Sequence, residues 1–136
     1  MDIILDASAI IAVIADEPEA QIVINCTKGA AIISPNIISC EIANALTRMM
    51  RKGIVTSKEQ MIELIQNFKK IPLKMVEIDL EKTLEIAWNF KIYAYDAFYL
   101  EAAKRLGFPL ISFDRGMIKI AKELNLTVLG EENVSV

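Results

Sequence analysis

The segment Asp2-Ile3-Ile4-Leu5-Asp6-Ala7-Ser8-Ala9 opens with a short apolar run that does not alternate. Such a run suits a strand buried on both faces of a parallel sheet, where neither face meets water. Asp6 ends it, and Ala7 to Ala15 then reads as a small apolar helix. A carboxylate at the carboxyl end of a central parallel strand stands where open α/β sheets place their ligands. The same residue is also a good helix N-cap. From these residues alone the two readings are equally open.

Working outward, strand and helix patterns alternate to the end of the chain. Glu17-Pro18 leads into a helix that stops at Gly29, and Ala30 to Ser34 reads as a second buried strand. Pro35 is expected to open a long helix through Lys52, with Gly53 as its stop. Ser57 and Gln60 form a capping box for a helix ending near Lys70. Leu73 to Ile78 is a third strand, and Asp79 caps a helix through Phe90 that includes Trp88, expected in the core. Ile92 to Tyr95 reads as a connector, Asp96 as the start of a helix from Ala97 to Leu106, and Pro109 to Phe113 as a fourth strand ending at Asp114. A helix from Gly116 to Leu124 and a strand from Thr127 to Leu129 complete the pattern. The expectation is one domain over residues 1–136, a three-layer α/β/α sandwich around a parallel sheet of about five strands.

Composition removes several function classes. The chain has 136 residues, 54% of them hydrophobic, and contains no histidine. The longest apolar run is too short to span a bilayer. Asp2 stands where a secretory leader would be basic, so the expected location is the cytoplasm, with no membrane partner. Cys26 and Cys40 lack metal-site or catalytic-pair spacing and read as small hydrophobes in helix faces. A net charge of −3 gives no globally basic nucleic-acid footprint. Acid-base or metal chemistry therefore has to rest on carboxylates, lysines, tyrosines or water.

Carboxylates are well placed for it. Right-handed crossovers bring the ends of parallel strands to one edge, where Asp6 and Asp114 should converge, with Asp96 at a helix start. Glu41 lies in Ile37-Ile38-Ser39-Cys40-Glu41-Ile42-Ala43-Asn44-Ala45-Leu46, among apolar and small neighbours, where an unpaired carboxylate is costly. It either faces solvent or meets positive charge. Four acids together repel one another unless a cation joins them, and all-oxygen donors select Mg2+ or Mn2+ over zinc. Such an ion polarises a phosphoryl oxygen and activates water at neutral pH without histidine. Phosphodiester hydrolysis is the reaction class that fits. A receiver domain would need a lysine at its last strand, and a haloacid-dehalogenase-type phosphatase an aspartate where Ser8 stands.

Leu5-Asp6-Ala7-Ser8, Glu41-Ile42-Ala43-Asn44-Ala45-Leu46, Tyr95-Asp96-Ala97 and Ile111-Ser112-Phe113-Asp114 together resemble the PIN domain, and most of all the VapC ribonuclease toxins of prokaryotic toxin–antitoxin pairs. The likeness runs in motif order through essentially the whole chain. It implies a parallel α/β/α sandwich and a metal-dependent endoribonuclease, with Asp6, Glu41, Asp96 and Asp114 as the metal-binding and catalytic acids. Ser8, Asn44 and Ser112 match supporting positions. Ser112 stands where relatives often carry threonine, and keeps the hydroxyl. The resemblance also implies an RNA substrate, a small antitoxin partner and a homodimer. The rival from another class is a PIN-like module that binds RNA or protein without cleaving.

Two surfaces follow from spacing. Glu41, Asn44, Arg48 and then Arg51 or Lys52 recur every three or four residues, giving one helix face suited to an RNA backbone. The helix after Ser57 carries Met61, Ile62, Leu64, Ile65 and Phe68, a wide apolar stripe. Part of it reads as core, and part as an antitoxin groove or dimer contact. Lys69-Lys70 and Lys104-Arg105 read as solvated helix ends, and Tyr99 as packing rather than a base-stacking platform beside Tyr93 and Tyr95.

Overall fold

The computed structural model describes residues 1–130. In chain order the elements are β1 (Asp2–Leu5), α1 (Ala7–Ile14), α2 (Ala20–Thr27), β2 (Ala31–Pro35), α3 (Ile38–Arg51), α4 (Lys58–Lys70), β3 (Leu73–Val76), α5 (Leu80–Phe90), α6 (Ala94–Leu106), β4 (Leu110–Ile111) and α7 (Arg115–Glu123). The sheet runs β3-β2-β1-β4 with every pairing parallel. The helices fall into two packed groups, α1 with α2, α3 and α4, and α6 with α5 and α7. This is the α/β architecture that the alternating pattern predicts.

β1 is central, and Ile3 and Ile4 are completely buried, as a non-alternating run requires. The chain winds from β1 through β2 to β3 on one side, then returns to place β4 on the other. The order therefore reverses between β1 and β4. At such a switch point successive crossovers diverge and leave a crevice at the carboxyl ends of the strands. Asp6 follows β1 and Asp114 follows β4, so the two acids flank it.

Several boundaries move. Pro35 does not open a helix; it pairs with Val76 at the end of β2, and α3 begins at Ile38. The pairing with β3 holds Pro35 extended, overriding its preference for a first helical turn. The strand expected at Thr127 to Leu129 shrinks to one parallel bridge between Leu110 and Val128, so the sheet has four strands plus that bridge. Trp88 is 84% exposed, against the expectation of core. Helix α5 buries Thr83 and Ile86 and turns Trp88 outward. Cys40 is likewise exposed, on the outer face of α3. Arg105 does more than complement a helix end: its guanidinium pairs with buried Glu101 at 3.1 Å and donates to the Glu77 carbonyl. Of the α4 stripe, Leu64, Ile65 and Phe68 pack against the core while Ile62 stays exposed.

Candidate active site

The crevice at the switch point is a cleft of about 450 Å³ whose lining includes Asp6, Glu41, Asp96 and Asp114. Each acid arrives by a different route. Asp6 ends β1 and N-caps α1, accepting a hydrogen bond from the Ala9 amide at 3.0 Å. The Ser8 hydroxyl donates to the same oxygen at 2.7 Å, and the Ser112 hydroxyl donates to the other. Asp114 N-caps α7 by accepting from the Met117 amide at 3.0 Å. Both capping readings hold, and capping does not take these acids out of the cleft.

The two serines tie the strand ends together. Ser8 accepts from the Phe113 amide at 2.9 Å, and Ser112 accepts from the Asp114 amide at 3.0 Å. Each hydroxyl thus donates to Asp6 from β1 while accepting from the segment after β4. Small hydroxyl residues are required here because both hydrogen-bonding capacities of each oxygen are used.

Asp96 reaches the cleft differently from the expectation. Helix α6 starts at Ala94 with Tyr93 as its N-cap, so Asp96 lies in the first turn instead of capping it. Its carboxylate is not spent on a backbone amide. Glu41 projects from the first turn of α3, half-buried in the opposite wall. From the same helix, Arg48 and Lys52 also line the cleft. Asn44 and Arg51 do not; Asn44 is exposed, on a neighbouring strip of the helix surface. The face that reaches the cleft is therefore Glu41-Ala45-Arg48-Lys52.

Electrostatics record the crowding. Burial pushes the Asp6 carboxyl up to about 6, against the lowering effect of its three hydrogen bonds, and the charge of Asp114 adds to the rise. Asp96 is also raised, first by burial and then by the charges of Asp114 and Glu41. Sequence reasoning missed three members of the site. Tyr99 is fully buried behind Asp96, its hydroxyl held beside Glu41 without a completed hydrogen bond, and burial and the surrounding carboxylates push its pKa far up. Its spacing of three from Asp96 was the available signal. Glu17 and Glu19 add acids at the rim, and Glu17 is raised by burial and by its neighbour Glu19.

Among the described residues no three acids are gathered tightly enough to make a finished metal-ligand set. The four line the cleft as a loose ring. Their chemistry still suits a hard divalent cation: donors are oxygen only, and Asp6 and Asp96 both register the repulsion a cation would relieve. Mg2+ characteristically takes one or two carboxylates and completes its shell with water and substrate phosphate, so a loose ring fits it better than a closed cage.

The parallel sheet, its switch point and the four carboxylates lining the cleft there define an α/β protein with an acidic, histidine-free site. The PIN domain family matches residues 3–123, and the chain belongs to that family. It is similar to Ribonuclease VapC3 of Pyrobaculum aerophilum, 26% identical over 119 residues that cover 85% of this chain and 91% of the relative. The crystal structure of PAE2754 from the same organism shares the fold at a TM-score of 0.66 and 24% identity, covering 92% of this chain and 98% of that one. VapBC2 from Rickettsia felis, solved bound to a DNA fragment from its promoter, matches at a TM-score of 0.68 and 16% identity over 94% and 97% of the two chains.

Proposed function

We propose that this chain is a Mg2+- or Mn2+-dependent endoribonuclease and the toxin of a toxin–antitoxin pair. The observation that carries it is the placing of Asp6, Glu41, Asp96 and Asp114 around one cleft whose α3 wall continues into Arg48 and Lys52. The four acids would hold the ion. When bound, it supplies Lewis acidity at the scissile phosphate and lowers the pKa of water. The protein's own residues do the rest. Asp6 stays fixed because three donors hold it, and Ser8 and Ser112 keep the two strand ends at constant separation. Arg48 and Lys52 bind the phosphates beyond the cut. Ile54 and Met49 line both this cleft and a neighbouring groove with Ile14, Val55 and Leu64, which we assign to an antitoxin peptide. On this reading the chain is a single nuclease domain that works in the cytoplasm, with no membrane, as a homodimer.

Purified protein with Mg2+ or Mn2+ should cut RNA to 5′-phosphate and 3′-hydroxyl ends, and Asp96→Asn or Glu41→Gln should abolish the cut while the fold persists. Cleavage that survives excess EDTA, or both substitutions, overturns the proposal. RNA that binds but stays intact with either metal replaces it with the non-cleaving module.

A further inference from the structure

Helix α6 is buried without interruption from Ala97 to Ala103 and meets water only toward its ends. Its first turn opens at the cleft, which Asp96 and Tyr99 both line. Tyr95 precedes Tyr99 by four residues and Tyr93 precedes Asp96 by three. Each of these two tyrosines therefore stands one helical turn above a residue of the cleft. Both face water, Tyr93 at 90% and Tyr95 at 51% exposure. Among the described residues no other large apolar or aromatic side chain is as exposed as Tyr93. Rings that carry an apolar body and a polar tip are characteristic of surfaces that bind something.

We propose that Tyr93 and Tyr95 are specificity-determining residues that stack unpaired bases of the RNA beside the scissile phosphate. The proposal rests on the reading of the cleft as an RNA site. Asp96 follows Tyr95 directly, so a base stacked on either ring keeps its own phosphate close to that carboxylate. The local charge agrees with this occupant. From Trp88 to Tyr95 the chain carries one charge, that of exposed Lys91 at the C-cap of α5, which attracts phosphate. The division of labour is then simple. Arg48 and Lys52 take phosphates from the α3 wall, and the tyrosines take bases at the start of α6. Every base has a π-face, so the two rings read no sequence. They select single strand over duplex, because paired and stacked bases present no free face to them.

The test is fluorescence anisotropy of the full chain, carrying Asp96→Asn to prevent cutting, with a short unstructured RNA and with a duplex of the same sequence. Tyr93→Ala and Tyr95→Ala should each weaken single-strand binding about tenfold. The slope of log affinity against log salt should stay constant, since no phosphate contact is lost. Tyr95→Phe keeps the ring and should bind like its parent, whereas Tyr95→Leu keeps only the apolar character and should not. Duplex affinity should be the same throughout. Trp88→Ala is the control: the indole is 84% exposed, but α5 contributes nothing to the cleft lining, so binding should not change. Circular dichroism checks folding, and the Phe and Leu variants decide the matter if the alanine variants fail to fold. Single-strand binding indifferent to both alanine substitutions overturns the proposal, and RNA cleavage by the wild type would then leave the nuclease reading standing. Equal losses on duplex and single strand, or an equal loss from Trp88→Ala, overturn it as well. The expected losses in a chain whose wild type never cleaves support the stacking and remove the nuclease reading. A wild type that binds no RNA overturns both and leaves the tyrosines to a protein partner.

Discussion

On the β1–β4 wall of the cleft, Asp6 accepts three hydrogen bonds and is buried, and the hydroxyls that donate to it are themselves acceptors for amides after β4. On the α3–α6 wall, Asp96 makes no hydrogen bond among the described residues, and Glu41 has only the uncompleted approach of Tyr99. The first wall is assembled by folding itself. The second keeps its carboxylates uncommitted and therefore able to turn toward a ligand. Fixing one donor and leaving others adjustable is what the proposed function asks of a site that would hold an ion and a phosphate together.

Substitution should separate the walls. Asp6→Asn and Asp96→Asn should each lower cleavage by ~10²-fold or more, since either removes a carboxylate that would hold the proposed ion. Truncation distinguishes them. Asp6→Ala leaves the donors of Ser8, Ala9 and Ser112 without their acceptor and should cost about 2–4 kcal/mol at pH 5. Asp96→Ala should cost nothing, and Asp96→Asn should raise the metal-free Tm by relieving repulsion with Asp114 and Glu41. Urea denaturation in EDTA checks both. Equal losses from Asp6→Ala and Asp96→Ala would break the distinction.

The pH dependence of metal-free stability sharpens it. The Asp6 carboxyl has its folded pKa raised to about 6 from an ordinary 3.8, so the folded state holds that proton more tightly than the unfolded chain. Its contribution is complete below about pH 4 and is lost as pH rises through 6, amounting to roughly 3 kcal/mol. Asp96 and Glu17, also raised, act in the same direction. Subtracting the Asp6→Asn curve isolates the Asp6 part. A wild-type chain that loses stability relative to Asp6→Asn as pH falls from 6 to 4 would have the wrong sign.

Tyr99 offers a smaller effect on the second wall. Its hydroxyl is buried and lacks a completed partner, an arrangement that costs about 1–3 kcal/mol when nothing relieves it. Tyr99→Phe should therefore leave the metal-free Tm unchanged or raise it slightly, while reducing the rise produced by Mn2+. A lower metal-free Tm would show the hydroxyl already satisfied.

The strand with its terminal aspartate, the alternation and the order of the four acids were legible because each depends on local pattern: an uninterrupted apolar run, a cap, a turn. What misled was set by tertiary contact. Pro35 reads as a helix opener until β3 pairs with it. Trp88 reads as core because apolar periodicity on α5 cannot say which of two apolar faces turns inward, on the side that packs with α6. Asp96 reads as a cap because aspartate caps well, yet Tyr93 takes that position and leaves the carboxylate unspent. Tyr99 could be placed in the core but not beside Glu41, which is 58 residues earlier and comes near only because α3 and α6 both line the cleft.

The smallest effect concerns the basic end of the α3 wall. Spacing alone put Arg48 and then Arg51 or Lys52 on one helix face, and of that pair Lys52 lines the cleft with Arg48 while Arg51 does not. Arg48 is seven residues beyond Glu41, a rise of about 10 Å, which is one to two phosphates along a single strand. If Arg48 grips the backbone leaving the acids, its removal releases one counterion fewer on binding. The slope of log affinity against log salt should then fall by about 0.7 for single-stranded RNA in Arg48→Ala, measured in an Asp96→Asn background that cannot cut. Arg51→Ala, one turn on but off the cleft, should leave the slope unchanged. Both arginines lie in the last turn and complement the helix dipole, so each substitution costs a similar few tenths of a kcal/mol in stability. Stability thus cannot tell the two apart, and the salt slope can. Equal slopes for Arg48→Ala and Arg51→Ala would reduce both to helix-end charges and leave the acidic walls without a basic extension.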